Sequence, residues 1–546
     1  MTDPNKFRFS IDRGGTFTDI YAETPKGPRV LKLLSENPDH YPDAPLEGIR
    51  RIIREVTHHE SKDTPSIEWI RMGTTVATNA LLERKGARTA LIITKGFGDL
   101  LRIGKQNRPG IFDLKIIKPE PLYETVVEID ERVHPIQSST DLSQPSVKIL
   151  RSPDRETVRH QLHDLLQQGI ESLAIALMHA TLLPDHELLV AQEAVGLGFK
   201  NISLSSEIVP RARLVDRGHT TCLDAYLNPH IQDYLRGFRD GFSDHDTDLF
   251  VMQSDGGLVD ADSFTGSRAI FSGPAGGVVG YAQTTGATPV IGFDMGGTST
   301  DVSRFDGNYE WLFESEGNLV PQLNIHTVAA GGGSRLLFEN GMFQVGPSSS
   351  GAWPGPACYR NGGPLSLTDA NLVLGRIVPE QFPCLFGENE DQPLSVSASQ
   401  RAFTALMENM PSQTGQSIEE TAYGFVEVAN ENMARAIHEI TASRGYDARD
   451  HILSSFGGAG GQHACAIARA LGISKIFISR FAGVLSAYGM GLADVAVDKE
   501  EPVKNESEAG LKERLEALAD KAVLELKSKG NFTIEVIRYL NMRYEG

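Results

Sequence analysis

The sequence predicts an α/β fold that contains an internal duplication, and three observations lead to this prediction. The segment at residues 11–20 recurs at 293–302, with Asp, Gly-Gly-Thr, Thr and Asp at the same offsets. Short apolar runs precede and follow both copies, which is the pattern of a strand, a tight turn and a second strand. Elsewhere, strand-like apolar runs alternate with helical periodicity along most of the 546 residues.

The two copies, called here the first loop (residues 12–19) and the second loop (residues 294–301), have the composition of phosphate-binding loops. Their glycines can adopt positive φ and let a phosphate approach the backbone, and their threonine hydroxyls can donate to phosphate oxygens. The candidate phosphate contacts are Gly14, Gly15, Thr16, Thr18, Gly296, Gly297, Thr298 and Thr300.

The aspartates in both loops indicate a cation. A carboxylate beside a phosphate would repel it, so a divalent ion is expected between them, and Mg²⁺ is commonly held by one or two carboxylates plus phosphates. These aspartates are Asp12, Asp19, Asp294 and Asp301.

A plain β-hairpin is the alternative for either loop alone, because Gly-Gly between apolar runs is a common hairpin signal. A turn needs glycine, but it does not need Asp and Thr at fixed offsets. Two copies that share six positions, 282 residues apart, therefore favour two loops around one nucleotide.

Residues 7–215 have the pattern of one α/β unit. Strands are predicted at 89–94 and 172–178, and a helix is predicted at 154–168 from apolar residues at helical spacing. Residues 135–153 are rich in Ser, Pro and Gln and predict an insertion loop.

Residues 230–500 have the pattern of a second α/β unit that is dense in glycine, and a helix is predicted at 229–246. A third glycine-rich segment at 455–463 follows an apolar run and precedes the helical pattern of 464–471. A strand, a glycine turn and a helix N-terminus form a favourable place for a nucleotide. The segment matches neither the dinucleotide fingerprint nor the P-loop.

Residues 501–546 predict a surface helix at 504–530 and a strand at 533–544. An exposed strand edge is a template for pairing. We therefore expect this region to be the start of a further region or to be covered by a second chain, and we expect the chain alone to self-associate.

Composition excludes several classes of function. The net charge of −19 and the pI near 5.3 argue against nucleic acid and anionic membranes as partners. The four cysteines are scattered, and the start of the chain lacks an apolar signal core, so a cytoplasmic location is expected. No run approaches the ~18 apolar residues of a membrane span.

Two Asp-x-Gly-Gly-Thr loops with a later Gly-Gly-x-Gly-Gly turn resemble the ATPases shared by actin, the heat-shock chaperones and sugar kinases. The resemblance implies a duplicated ribonuclease H-like fold with ATP in a cleft between two lobes. It implies that Asp12 and Asp294 hold Mg²⁺ and that Asp301 positions the nucleophile or the metal. It also implies hinge helices at 272–277 and 482–489, and an adenosine cradle formed by Gly457, Gly458, Gly460 and Gly461.

Longer motifs resemble the hydantoinase A/5-oxoprolinase family; they lie at 9–19, 71–86, 272–280, 326–334 and 354–359. The similarity runs from about residue 7 to the last residue, and residues 31–36 and 43–52 favour the eukaryotic single-chain type. The resemblance implies a cytosolic, ATP-driven opening of a cyclic amide, in which 5-oxoproline becomes glutamate within glutathione metabolism while ADP and phosphate leave.

Two further positions carry weaker predictions. His326 precedes a Gly-Gly-Gly-Ser turn and is a candidate contact to substrate or metal, although a lone histidine is more often structural. Cys358 is a candidate nucleophile, but a buried small apolar residue is the favoured interpretation.

Relatives of this type continue into a second half, which is a separate B subunit in bacteria. The resemblance therefore implies a B-type half, in trans or fused, as a partner, and a homo-oligomer is expected. A non-catalytic ATP-binding fragment or subunit, and a sister enzyme acting on hydantoins or ketones, remain as alternatives.

Overall fold

Two sheets of the same topology and one inserted parallel sheet organise the chain. The computed structural model describes residues 6–57, 66–106, 118–136, 147–242, 247–286, 288–313, 318–387, 389–410, 416–503, 507–530 and 533–542. The strands are β1 (Phe7–Arg13), β2 (Phe17–Glu23), β3 (Arg29–Leu34), β4 (Ile67–Thr74), β5 (Thr89–Thr94), β6 (Thr125–Ile129), β7 (Arg132–Pro135), β8 (Val147–Arg151), β9 (Ser172–Ala176), β10 (Asn201–Leu204), β11 (Asp248–Met252), β12 (Leu258–Asp260), β13 (Val290–Met295), β14 (Thr300–Phe305), β15 (Trp311–Leu312), β16 (Gln322–Leu323), β17 (Ile325–Val328), β18 (Ser334–Glu339), β19 (Met342–Ser349), β20 (Ile452–Phe456) and β21 (Lys475–Phe477).

The helices pack against these sheets and connect them. They are α1 (Ala44–Thr57), α2 (Val76–Leu82), α3 (Leu100–Ile103), α4 (Arg155–Gln167), α5 (Asp185–Leu197), α6 (Ser205–Ile208), α7 (Leu214–Asp240), α8 (Ser272–Thr284), α9 (Leu367–Val373), α10 (Val396–Glu408), α11 (Ile418–Thr441), α12 (Gly460–Leu471), α13 (Leu485–Leu492) and α14 (Glu508–Ser528).

The predicted duplication is confirmed by strand order. The first sheet runs β3-β2-β1-β4-β11, with β12 added at its end, and the second runs β17-β14-β13-β20-β21. In both sheets the first three strands are antiparallel and the next two are parallel to the central strand. The two lobes are therefore copies of one α/β unit.

The register of the two loop hairpins is also duplicated. In the first, Asp12 lies opposite Asp19 across the ladder, and in the second, Asp294 lies opposite Asp301. Every pair in the second hairpin is the corresponding pair of the first shifted by 282 residues. Register follows from turn length and from the side chains buried on one face, and both are repeated here.

The inserted sheet lies between β4 and β11 in the chain and is parallel, in the order β10-β9-β5-β6. Its central strands β5 and β9 are buried on both faces, which explains their continuous apolar sequence. The predicted helix at 154–168 is confirmed as α4, and the side chain of its N-cap Asp154 accepts a hydrogen bond from Thr157 N at 2.9 Å.

Helix α8 contains the predicted hinge segment 272–277, and α13 contains residues 485–489 of the segment predicted at 482–489. The two helices cross at glycines. A methyl group on Gly489 would overlap the carbonyl oxygen of Gly276, and one on Gly280 would lie 2.7 Å from the oxygen of Leu485. Glycine is needed here because the two helix backbones touch. The hinge role itself stays a prediction.

We expect Gly489→Ala to destabilise the protein by about 1–3 kcal/mol, because the new methyl must push the two helices apart. Gly483→Ala is the matched control, since nothing lies within 4 Å of a methyl at that position. Urea unfolding of both variants measures the difference. Equal urea midpoints for the two variants would show that α8 and α13 can move apart without loss of stability.

Three predicted elements differ from the structure. Helix α7 begins at Leu214 rather than Pro229, because proline here follows 15 helical residues that pack into the core; residues 243–246 lie outside the described ranges. The predicted insertion loop at 135–153 contains strand β8, which pairs with β7; residues 137–146 lie outside the described ranges. Strands β11 and β12, assigned from sequence to the second unit, pair in the first sheet.

The predicted strand at 533–544 is wrong for the described residues 533–542, which pair with no strand. An apolar alternating sequence needs a neighbouring ladder to become a strand, and these residues instead contact the body through side chains. Arg538 pairs with Glu516 at 2.9 Å, and the Tyr539 ring meets Trp311 edge-on at 5.6 Å. Residues 543 and 544 lie outside the described ranges, and the expected pairing of this segment with a second chain stays a prediction.

Within the described ranges, none of the helices combines the length and apolar character that crossing a bilayer would require.

Candidate active site

The first and second loops touch each other at equivalent positions. Thr16 Oγ1 lies 3.3 Å from Thr298 Oγ1, and these two residues are 282 positions apart, which is the spacing of the duplication. The glycine beside each threonine is required by the other loop: a methyl on Gly15 would lie 2.9 Å from Thr298 Oγ1, and one on Gly297 would overlap Thr16. The two loops therefore contact each other reciprocally, each through the same Gly-Thr pair.

Each loop closes with the same backbone hydrogen bond. Gly14 N donates to Phe17 O and Gly296 N donates to Ser299 O, both at 3.0 Å. The second loop is braced from behind by the glycines at 331–333, because Gly332 N donates to Gly296 O at 3.0 Å and Gly333 N to Gly297 O at 2.6 Å. The first loop is braced instead by Ser35, whose hydroxyl donates to Gly14 O at 2.6 Å.

Each hairpin presents two carboxylates on one face, called here the cleft side. Residues directly opposite in an antiparallel ladder point to the same face, so Asp12 and Asp19 form one pair, and Asp294 and Asp301 form the other. Asp12 Oδ1 is buried and has no hydrogen-bond partner among the described residues.

Burial raises the pKa values of these carboxylates, and repulsion by neighbouring aspartates adds to the rise at Asp12 and Asp294. Burial, followed by the charge of Asp19, raises the pKa of Asp12 to about 7, although Lys32 opposes the shift. Burial raises the pKa of Asp301 to about 6. Burial and then the charges of Asp301 and Asp12 raise the pKa of Asp294 well above its usual value. A carboxylate with a raised pKa is stabilised by binding a proton or a cation, and it is destabilised by another negative charge nearby.

In each pair, the carboxylate on the second strand of the hairpin (Asp19 or Asp301) is called here the outer carboxylate. The two pairs differ in the side chain that contacts it. Lys32 on β3 forms an ion pair with Asp19, and its ammonium group lies 5.0 Å from the centre of the Phe17 ring. Burial raises the pKa of Asp19, and Lys32 opposes this rise. Asp301 instead accepts a hydrogen bond at 2.5 Å from the neutral hydroxyl of Thr327 on β17.

Asp12 and Asp294, on the first strand of each hairpin, are called here the inner carboxylates. Residues from other parts of the chain approach both of them closely. Ser486, in the first turn of α13, donates to Asp294 Oδ2 at 3.1 Å. A methyl on Gly273, at the start of α8, would lie 3.0 Å from Asp12 Oδ1. Gly457, which has φ of +81°, approaches Asp294 so closely that a methyl there would overlap the carboxylate.

Thr18 and Thr300, both predicted to contact phosphate, are turned away from the cleft. Each is adjacent in its strand to an aspartate that faces the cleft, so its side chain points to the opposite face. Both are fully buried; Thr18 Oγ1 lies 3.1 Å from Ser35 Oγ, and Thr300 Oγ1 donates to Ala330 O. Their hydroxyls therefore hold the loops in shape.

The third glycine segment divides into an open and a packed part. Gly458 and Gly461 are exposed, with nothing within 4 Å of an added methyl, whereas Gly460 is packed against Ser455. The segment joins β20 to the N-terminus of α12, and Ala459 N donates to Met295 O at 2.9 Å, which ties it to the second loop. The open glycines therefore lie at the N-terminus of α12, next to the second loop.

The structure does not bring His326 or Cys358 to this cluster. His326 neighbours Thr327 in β17, so it points away from Asp301, and its Nε2 lies 3.3 Å from Glu439 on α11. Cys358 is fully buried among apolar residues, and burial raises the pKa of its thiol well above the usual value. A protonated, inaccessible thiol agrees with the structural interpretation of Cys358.

The cluster has the donors that Mg²⁺ prefers, but they are not drawn together. Among the described residues, no three His, Cys, Asp or Glu side chains converge closely enough to form a ready-made metal site. The unpaired oxygen of Asp12 and the raised pKa values of Asp12 and Asp294 nevertheless fit a hard divalent cation completed by phosphate oxygens and water.

Sequence reasoning assigned no role to Lys32, Thr327 or Ser486. A lysine inside the apolar run of residues 30–34 is a signal that could have identified the first. The hydrogen bond of Ser486 joins residues 192 positions apart, and no local pattern predicts it.

Comparison with known proteins places the chain in a family. Residues 8–196 match the model "Hydantoinase/oxoprolinase N-terminal region" and residues 217–499 match "Hydantoinase/oxoprolinase". The chain is 50% identical to 5-oxoprolinase 1 of Arabidopsis thaliana over 581 residues, which covers 99% of this chain and 46% of that protein. The chain spans about half the length of the curated relatives it matches first.

Two solved structures share the fold over 96% of this chain. An acetone carboxylase in nucleotide-free form superposes with a TM-score of 0.76 at 23% identity, covering 77% of that chain. The ATP-dependent caprolactamase from Pseudomonas jessenii superposes with a TM-score of 0.74 at 28% identity, also covering 77% of its chain.

Proposed function

This chain belongs to the hydantoinase/oxoprolinase family, and we propose that it is the ATP-binding half of an enzyme that hydrolyses 5-oxo-L-proline to L-glutamate with release of ADP and phosphate. The observation that carries the proposal is the meeting of two equivalent loops at Thr16 and Thr298, with half-buried carboxylates on their cleft side. The identity of 50% with a protein named 5-oxoprolinase 1 supports this choice of substrate.

ATP is proposed to lie with its phosphates between the two loops and its adenosine on the third glycine segment. Backbone groups of Gly14, Gly15, Gly296 and Gly297, with the hydroxyls of Thr16 and Thr298, would contact the phosphates. The exposed Gly458 and Gly461 would face the adenosine, while Gly457 and Gly460 shape the turn behind them.

Asp12 and Asp294 are the residues that would hold Mg²⁺, which would neutralise charge on the phosphates during transfer. Ser486 would keep one oxygen of Asp294 in place, because it already donates to it. Asp301, with a pKa of about 6 and no cationic partner on β17, would accept a proton from the water that attacks the phosphorylated lactam.

The chemistry asks for activation of a poor electrophile. A lactam carbonyl resists water at neutral pH, and transfer of the γ-phosphoryl group to its oxygen forms a P–O bond there while the bond to ADP breaks. Water then attacks the activated carbon, the ring C–N bond opens and phosphate leaves. Phosphoryl transfer depends mainly on positioning and charge neutralisation, which the paired loops are built to supply.

A B-type half, in trans or fused, is proposed as the partner that completes the enzyme. The chain spans 46% of the Arabidopsis relative, and the proposal assigns the second half of such a relative to this partner. A homo-oligomer, a cytosolic location and a role in glutathione metabolism are part of the same proposal.

A second candidate is the opening of a larger lactam. The caprolactamase subunit alpha of Pseudomonas jessenii is 30% identical over 571 residues, and the chain covers 79% of it. The phosphoryl-transfer loops would serve either ring, so the loops alone do not decide between the two substrates.

We expect phosphate release that depends on 5-oxoproline, with one ATP hydrolysed for each ring opened. The assay compares 5-oxoproline, ε-caprolactam, hydantoin and acetone, each with and without a B-type half. Stimulation by caprolactam, and none by 5-oxoproline, would support the second candidate. Nucleotide binding without stimulation by any of the four would indicate a non-catalytic ATP-binding subunit.

A further inference from the structure

The duplicated site is symmetric in its loops and asymmetric in its charge. Lys32 lies opposite Asp19 in the ladder between β2 and β3, and Thr327 lies opposite Asp301 in the ladder between β14 and β17. Because the two sheets have the same topology, Lys32 and Thr327 occupy equivalent positions. One half of the site therefore contains a cation where the other half contains a neutral hydroxyl.

The position of Lys32 is built for a cation. Its side chain and that of Asp19 are 17% and 18% exposed, so the ion pair is largely shielded from water. The ring of Phe17 lies beneath the ammonium group, and this ring packs edge-on against Tyr359 at 6.2 Å. The residue equivalent to Phe17 in the second loop is Ser299, which offers no such platform.

We propose that Lys32 acts as a fixed cation in place of a second metal ion. It neutralises Asp19, limits the site to a single divalent cation and leaves Asp301 as the outer carboxylate, which has no cationic partner among the residues that the structure describes. Carboxylate-rich phosphoryl-transfer sites commonly use two metals. A lysine supplies charge at one position without requiring a second metal there. This inference rests on the proposed function, because it assumes that Asp12 and Asp294 hold the divalent ion.

The proposal predicts metal stoichiometry. Lys32→Thr gives the first half the residue type of the second, so Asp19 loses its cationic partner. We expect the variant to bind two divalent ions per chain where the parent binds one. Lys32→Met, which keeps an apolar stem over Phe17, should behave in the same way.

The reverse exchange supplies an independent test. Thr327→Lys places an ammonium group opposite Asp301, and we expect it to weaken binding of the single ion. The double variant Asp19→Asn with Lys32→Thr is the matched control. It removes the lysine together with its carboxylate partner and should return the stoichiometry to one.

The measurement is titration of the purified 546-residue chain with Mn²⁺, with free Mn²⁺ followed by electron paramagnetic resonance, and with circular dichroism to verify folding. If the parent binds no Mn²⁺, the carboxylates do not hold a metal in the absence of phosphate, and the inference about Lys32 is overturned with it. If the parent binds two ions, or if it binds one and the folded Lys32 variants also bind one, the inference about Lys32 is wrong while the metal site stands. If the Lys32 variants do not fold, undiminished binding by Thr327→Lys overturns the inference.

Discussion

Asp294→Asn is expected to lower ATP turnover by about 100-fold or more while the fold survives. Asp294 is the inner carboxylate of the second loop, and the charges of Asp301 and Asp12 both act on it. The amide keeps the volume and can still accept the hydrogen bond from Ser486, but it removes the negative charge that would hold Mg²⁺. A loss of about 3 kcal/mol of transition-state stabilisation corresponds to roughly this change in rate.

The measurement is ATP hydrolysis by the complete enzyme, with the B-type half where it is required, together with an unfolding curve for each protein. Asp520→Asn, on the exposed side of α14, is the control for a carboxylate outside the cleft. Turnover by folded Asp294→Asn at the parental rate would refute the assignment of Asp294 as a metal ligand.

The duplicated hairpins are the part of the fold that the sequence predicts best. Their six shared positions define turn length, and turn length sets the pairing of Asp12 with Asp19 and of Asp294 with Asp301. The alternation of side chains along each strand explains why two of the predicted phosphate contacts are not on the cleft side. Thr18 and Thr300 neighbour cleft-facing aspartates in a strand, so they must point to the other face.

Lys32 and Thr327, the partners of the outer carboxylates, could not be paired with each other from the sequence. Lys32 follows Asp19 by 13 residues, whereas Thr327 follows Asp301 by 26, because the third strand of each sheet is reached through a connection of different length. A search at the offset of 282 residues therefore misses their equivalence. Only the ladders of the two sheets reveal it.

The segment at 533–542 illustrates a different limit. Its apolar alternation matches a strand, yet the described residues form none, since a strand exists only where a neighbouring ladder accepts its hydrogen bonds. Residue propensity and apolar pattern show that a segment can form a strand, but the strand forms only where the edge of a sheet is available to pair with it.

Asp12→Asn is expected to stabilise the metal-free protein at pH 8 by about 1–4 kcal/mol, although it removes a metal ligand. The pKa of Asp12 is raised to about 7 from an ordinary value of 3.8, mainly by burial and then by the charge of Asp19. A shift of about three units corresponds to an upper limit of ~4 kcal/mol, and coupling to the neighbouring aspartates reduces the part that one substitution recovers.

The sign of the pH dependence follows from the direction of the shift. Below about pH 4 the carboxyl group is protonated in both the folded and the unfolded chain, so it costs the folded state nothing. As the pH rises toward 7 the unfolded chain ionises this group more readily, and the free energy of unfolding falls. The parent should therefore lose stability between pH 4 and pH 7 in EDTA, and Asp12→Asn should lose less.

Mg²⁺ should reverse the order of the two proteins at pH 8. A bound cation favours the ionised carboxylate and stabilises the folded state that binds it. The parent should gain stability on addition of Mg²⁺, whereas Asp12→Asn, with one charged ligand fewer, should gain little. Urea unfolding at pH 5 and pH 8, in EDTA and in Mg²⁺, measures all four conditions, with Asp520→Asn as the control. If Asp12→Asn is no more stable than the parent at pH 8 in EDTA, the ionised Asp12 carboxylate does not destabilise the folded state. The argument that the loops require a cation between them would then lose its physical basis.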